Sequence, residues 1–294
     1  MLHNPVNDQL SRIWQYMYEG VNRANYMIEN KDKIDFPRKN EMYGEVHFLR
    51  AFFYFELVKI YGDVPLFTHG RLTAGDSGTL TRVPKSEVYA VIESDLNSAI
   101  SALPAQKSTD GRATSFTAHA LLGKVYLYQG KYSEAANILE PLIGLYTLPS
   151  NPGSVFLVSG ENGPESVFEI QHSKESNGWN WGWLPHSTEG NFGVIHHGIR
   201  GYNGPTYSSG WSFNVPTEEF YNSFEDGDSR RDATILDIEA FATATGASYT
   251  EGYDHTGYFN NKYIPRAGES GGQTELNYLT NFRIIRYSDV LLMA

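Results

Sequence analysis

Leu122-Gly123-Lys124-Val125-Tyr126, followed by Gly130, Tyr132 and Ala135, alternates small and large residues at helical spacing. Small residues let two antiparallel helices approach closely, and the large ones plug the groove between them. The segment therefore reads as a helical hairpin, with one helix over residues 115–129 and the next over 133–143, separated by Gly130-Lys131-Tyr132. A hairpin of this kind cannot bury its apolar faces alone, so further helix pairs must stack on it.

The upstream chain supplies them. Leu10, Ile13, Trp14, Met17, Val21, Ala24 and Ile28 recur three or four apart, which puts them on one stripe of a helix over 9–30. Residues 41–61 are apolar almost all round, through Phe48, Leu49, Phe52, Phe53, Phe55, Leu57 and Ile60, as a helix with several neighbours would be. Gly62-Asp63-Val64-Pro65 stops it, because glycine suits a C-terminal cap and proline cannot continue the ladder. A third helix follows Pro84 and Ser86, buries Val88, Ile92, Leu96, Ala99 and Leu103, and ends at Pro104. Ala51, Val58 and Tyr61 also align with Ala118, Val125 and Tyr128 at twice the period of about 34 residues that marks tetratricopeptide repeats. The expected fold is mainly α: a tetratricopeptide-like helical-hairpin scaffold with long irregular loops and a few short strands. Such scaffolds present binding surfaces.

Composition narrows the partners. The 294 residues are 40% hydrophobic and 19% charged, enough apolar matter for a core. The net charge of −11 disfavours nucleic acid, whose binding needs clustered cations. The absence of cysteine removes disulfides, thiolate nucleophiles and cysteine metal sites. No apolar run approaches the roughly 18 residues of a membrane span, and residues 1–10 lack the pattern of a signal peptide.

After Pro149-Ser150-Asn151-Pro152-Gly153 the helical period disappears, which predicts a scaffold over 1–148 and a loop-rich part over 149–294. Residues 165–171 alternate as a short strand would. From Asn177 to Val215 the chain has eight glycines and only two charges, Glu189 and Arg200, and four of its five tryptophans lie between Trp179 and Trp211. Sugar rings offer an apolar C–H face and a rim of hydroxyls, so exposed aromatics edged by amides suit them. Trp179, Trp181 and Trp183 would share one face of an extended segment. With Asn180, Tyr202, Asn203 and Tyr207 they are the candidate ligand-binding residues. So neutral a segment fits a neutral glycan, since uronates or sulfates would recruit Arg or Lys.

Catalytic and metal constellations are weak. Glu218-Glu219 and Glu225-Asp226-Gly227-Asp228 supply paired acids for a glycosidase, but adjacent acids near helix ends are usually solvated or capping. Asp226-x-Asp228 opens like a calcium loop, yet Arg230 stands at the third ligand and no glutamate closes it at position 237. His196-His197 lacks the spacing of a helical metal pair. No enzyme activity, metal or cofactor is expected.

Several segments together resemble the SusD/RagB family of outer-membrane nutrient-binding lipoproteins. They are Tyr18-Glu19-Gly20-Val21-Asn22-Arg23-Ala24-Asn25, Glu45-Val46-His47-Phe48-Leu49-Arg50-Ala51-Phe52-Phe53-Tyr54-Phe55, Tyr61-Gly62-Asp63-Val64-Pro65-Leu66, Gly210-Trp211, Asp228-Ser229-Arg230-Arg231-Asp232, and the terminal run from Ile285 to Ala294. The resemblance implies a non-catalytic, surface-exposed lipoprotein of the outer membrane that binds an oligosaccharide or polysaccharide and delivers it to a SusC-like TonB-dependent transporter for uptake. It assigns Asp228, Arg230 and Arg231 to structure. Family members start with a lipidated cysteine and continue past the terminal run, so the chain reads as an internal fragment whose N-terminal lipid anchor is missing. The competing reading is a tetratricopeptide adaptor that holds a peptide or protein in its helical groove.

Overall fold

The computed structural model describes residues 7–78, 80–106, 109–175, 189–271 and 276–294. These residues form ten α-helices and six short strands, so the fold is mainly α. They divide into two compact units, residues 1–145 with 288–294, and residues 146–287.

The first unit is the helical scaffold. It contains α1 (Asp8–Glu29), α2 (Lys39–Tyr61), α3 (Lys85–Ala102), α4 (Ser115–Tyr128) and α5 (Tyr132–Leu139), each packed against the next. Asn7 caps α1, its side chain accepting from the Gln9 and Leu10 amides. Helix α2 is buried on most sides through Phe48, Ala51, Tyr54, Phe55, Leu57 and Val58. It ends at Gly62, whose φ of 69° a side chain would resist. Beyond it, strands β1 (Val64–Pro65) and β2 (Arg82–Val83) pair antiparallel. Thr114 and Thr117 form a reciprocal capping box at the start of α4.

The hairpin of α4 and α5 depends on Gly123. A Cβ there would sit 2.5 Å from Leu139 Cγ, so only glycine allows α5 this close. The fifth helix was expected to reach residue 143. It stops at Leu139, because Pro141 lacks the amide an α-helix needs, and the chain tightens into the 3-10 turn Glu140–Leu142.

A buried polar chain crosses α1, α2 and α3. Arg50 donates from Nε and Nη2 to the two oxygens of Asp95, at 2.7 Å each, and from Nη1 to Asn25 Oδ1 at 2.8 Å. His47 Nδ1 lies 2.7 Å from Asp95 Oδ1. Tyr18 and Tyr54 bury their rings and send their hydroxyls to the Pro65 and Phe67 carbonyls. Desolvation raises both phenols far above the ordinary range.

The second unit is loop-rich with two small sheets. Strand β3 (Ser166–Ile170) pairs antiparallel with β6 (Phe282–Arg286), and β4 (Ile235–Asp237) with β5 (Tyr258–Asn260). Short helices α6 (Gly193–His196), α7 (Glu218–Asn222), α8 (Ser229–Thr234) and α9 (Ile238–Thr245) fill in between, and α10 (Tyr287–Met293), past its first residue, belongs to the first unit. One core gathers Ile199, Tyr202, Tyr207, Leu236, Ile238, Phe259 and Ile264. Another gathers Val194, Ile195 and Tyr278, with Trp211 and Leu276 packed against it.

Candidate functional site

The best-built aromatic surface of the second unit grows from the end of α6. A helix end leaves carbonyls without partners, and here the returning segment 210–213 supplies them. Gly210 N donates to Ile199 O, Trp211 N to Ile195 O, Ser212 N to Gly198 O and Phe213 N to His196 O, at 2.7–3.0 Å. The two segments can meet only because both carry glycine. A Cβ on Gly210 would overlap Gly198 Cα and lie 2.7 Å from Ile195 O.

The same segment is bent by two residues in left-handed conformation, Ser212 at φ 57° and Asn214 at φ 54°. Neither is glycine, so the surroundings must hold the strain. The buried Ser212 hydroxyl accepts from the Arg200 amide at 3.0 Å, and the Arg200 guanidinium donates to the Trp211 carbonyl at 3.0 Å.

The bend sets four rings together. His196 lies 4.9 Å from Trp211, 4.7 Å from Phe192 and 6.0 Å from Phe213, and Trp211 lies 6.1 Å from Phe213. Trp211 rests on the Val194, Ile195 and Tyr278 core, whereas Phe213 is 51% exposed. A second loop comes alongside: Thr250 N donates to Arg200 O, and a Cβ on Gly252 would come within 2.9 Å of Ser212 Cβ. The next residue, Tyr253, is 91% exposed. Trp211, Phe213, His196, Arg200 and Tyr253 thus lie on three neighbouring segments, the end of α6 and two loops, with Glu251 and Asp254 exposed beside Tyr253.

Of the expected ligand-binding residues, Trp179, Asn180, Trp181 and Trp183 lie outside the described residues. Their flanks are tied down. Ser173 N donates to Glu189 O, His172 Nδ1 lies 3.2 Å from the same carbonyl, and Asn191 N donates to Tyr278 O at 2.7 Å. Burial holds the His172 imidazole below its ordinary pKa.

Tyr202 and Tyr207 correct the expectation of aromatic platform residues. Each is 8% exposed, their rings meet edge to face at 5.9 Å, and their hydroxyls donate to Pro205 O and Asn261 Oδ1. They fill the core with their polar tips satisfied, and burial raises both phenols. Asn203 is exposed and exchanges two backbone hydrogen bonds with Ser248.

Two of the candidate acids, Glu219 and Asp228, bind backbone amides. Asp228 caps α8 and binds Arg230, which holds its carboxyl below the usual range. Glu219 is lowered by its own amide and Thr217. A general acid needs the opposite shift. Arg231 lies over the Tyr221 ring at 5.0 Å. Among the described residues no three His, Asp or Glu side chains converge as a metal site.

Sequence reasoning missed Phe213, His196 and Tyr253 as surface residues. The available signal was Gly210-Trp211-x-Phe213, where alternating aromatics follow a glycine, and Gly252-Tyr253 in a charged turn.

Comparison with known proteins gives a consistent result. The SusD-like family described as "starch-binding associating with outer membrane" matches residues 2–127. SusD-like protein P2 of Formosa agariphila is 29% identical over 98% of this chain and 58% of its own length. A solved laminarin-binding SusD-like protein is 38% identical with a TM-score of 0.87, covering 96% of this chain and 65% of that one. Surface glycan-binding protein A of Bacteroides thetaiotaomicron, solved with laminarihexaose, is 27% identical with a TM-score of 0.82, over 96% and 63%. The chain thus spans about three fifths of these relatives, and across that span it is similar to SusD-like proteins in sequence and in fold.

Proposed function

We propose that the chain is the glycan-binding part of a cell-surface protein that captures a neutral glucan of the laminarin type and delivers it, at the outer membrane where a lipid anchor holds the whole protein, to a SusC-like TonB-dependent transporter. The observation that carries the binding reading is the aromatic surface of Trp211, Phe213, His196 and Tyr253, backed by a core and edged by the Arg200 guanidinium. Trp179, Trp181 and Trp183 with Asn180 extend the same role in the proposal, and Asn203 adds an exposed amide. A net charge of −11 repels polyanionic glycans and leaves neutral ones unaffected. The identity of the glucan rests on the 38% identical laminarin-binding neighbour and the laminarihexaose complex.

Ring stacking plus a few hydrogen bonds gives about −8 kcal/mol or weaker, a micromolar or looser site, as suits a protein that must release its cargo. Affinity electrophoresis through laminarin, with calorimetry on laminarihexaose, tests the reading. Phe213→Ala and Tyr253→Ala change exposed rings without touching their support, and each should weaken binding about tenfold. Retardation by no neutral glucan, or retardation unchanged both in these variants and in Trp179→Ala/Trp181→Ala, would overturn it.

A further inference from the structure

Helix α6 is a single turn, Gly193–His196, and one turn fixes several dihedrals for very little hydrogen bonding in return, so it cannot hold its own position. Yet it carries His196 and follows Phe192, two of the rings gathered at Trp211: Phe192 lies 5.9 Å from Trp211 and 4.7 Å from His196. Its far end is held by the returning segment 210–213. Its start needs a second anchor, and the Phe192 side chain makes no cap there.

Asn191 is that anchor. It is 7% exposed, and both polar atoms of its side chain are used: Oδ1 accepts from the Gly193 amide at 3.1 Å, and Nδ2 donates to the Thr280 carbonyl at 2.9 Å. Its backbone amide donates to Tyr278 O at 2.7 Å. The segment it grips is fixed on its own account, with Tyr278 and Thr280 each 1% exposed and Asn277 and Asn281 each 2%. The Tyr278 ring belongs to the core on which Trp211 rests. Gly190 allows the approach, since a Cβ there would overlap Asn277 Oδ1 and lie 2.5 Å from Asn277 Cα.

The position demands one side chain that accepts from an amide and donates to a carbonyl at once. Aspartate offers acceptors alone, alanine offers neither, and glutamine carries its amide one carbon further out. We infer that Asn191 is a positioning residue for the aromatic surface: it locks the start of α6 to the 278–280 segment, so that Phe192 and His196 meet Trp211 in the arrangement that takes the glucan. The inference rests on the glucan reading above and adds to it a buried residue that need not touch the sugar.

Calorimetry with laminarihexaose and the indole N–H resonance of Trp211 test this on the full chain. Asn191→Asp keeps the shape and the bond from Gly193 but turns an acceptor toward the Thr280 carbonyl. Asn191→Ala removes the side-chain bonds without burying a charge, and it decides alone if Asn191→Asp does not fold. Each should bind at least about fivefold more weakly, the equivalent of one net hydrogen bond. Each should also shift the Trp211 resonance while that of Trp14, in the scaffold unit, stays in place. Gly123→Ala, overpacked in the scaffold, should bind within about twofold of the wild type; an equal loss there would make the effect one of stability and overturn the inference. A folded Asn191 variant that binds within about twofold of the wild type, or a Trp211 resonance unmoved in both, also overturns it. A wild type that binds no laminarihexaose overturns the glucan reading instead, and the Trp211 resonance then decides the positioning role by itself.

Discussion

Gly210→Ala should dismantle the aromatic surface while leaving the helical scaffold intact. The added Cβ would overlap Gly198 Cα and come to 2.7 Å from both Gly198 C and Ile195 O, all of them backbone atoms that no rotamer change can move. Ordinary contact needs about 3.5 Å or more, so the segments must part by roughly 1 Å. The four hydrogen bonds that tie 210–213 to α6 and the residues just past its end are 2.7–3.0 Å long and would exceed hydrogen-bonding range together. At about 1 kcal/mol net each they amount to about 4 kcal/mol. If bound glucan must rebuild the surface, affinity falls by between tenfold and about a thousandfold. Calorimetry with laminarihexaose reads the affinity, and amide exchange at Trp211 and Phe213 reads the segment directly. Gly78→Ala is the control, since a Cβ there meets nothing within 4 Å. A Gly210→Ala protein that keeps wild-type protection at these amides and binds within twofold of wild type would refute the reasoning.

Three further outcomes follow from the packing and the titrating groups. Gly123→Ala forces a Cβ onto the fully buried Leu139 and should cost about 1–3 kcal/mol by overpacking, lowering Tm by roughly 3–10 °C; an unchanged melt would show that α4 and α5 can separate freely. Asp95→Ala leaves Arg50 charged and buried and should destabilise by about 3–5 kcal/mol, whereas Arg50→Met/Asp95→Leu should recover most of that loss in urea unfolding; a double variant no better than the single would refute it. Burial lowers the His172 and His197 pKa values, so between the folded value and the ordinary 6.5 the unfolded chain binds more protons. Stability should therefore fall as pH drops below about 6.5, the fall ending at the depressed folded values. Burial raises Glu161 and Glu269 above 4.5, so these carboxyls work in the opposite direction as pH falls through their folded values toward 4.5. Urea midpoints at pH 7.5, 6.5 and 5.5 check the histidine part, and a flat profile would sink it.

The scaffold was legible because its signals are local. An apolar stripe, a capping threonine and a glycine at a close crossing each act within one or two turns, and α1 to α4 begin and end within two residues of where the pattern puts them. The one misplaced end, at Leu139, came from extending the apolar period through Pro141, whose missing amide outweighs the pattern. The Arg50–Asp95 pair was invisible for the opposite reason. It joins residues 45 apart on separate helices, and nothing in either local sequence marks them as partners.

The aromatic residues show where reading by residue type stops. Tyr202, Tyr207 and Phe213 all sit in glycine-rich, weakly charged sequence, and composition treats them alike. What separates them is the partner each finds far along the chain. Tyr207 meets Phe241 and donates to Asn261, and Tyr202 packs on Tyr207 with its hydroxyl returned to Pro205, so both rings turn inward. Phe213 follows Ser212, whose left-handed backbone and buried hydroxyl commit the chain to a bend, and its ring is left outside. Exposure of an aromatic in such a segment is thus decided by backbone conformation at its neighbour. That conformation is favoured at glycine and is adopted here by a serine, because Gly198 and Gly210 bring two strands of backbone together and leave Ser212 no extended path. A binding surface of this kind is specified by its small residues, and the large ones only occupy the positions that the small ones create.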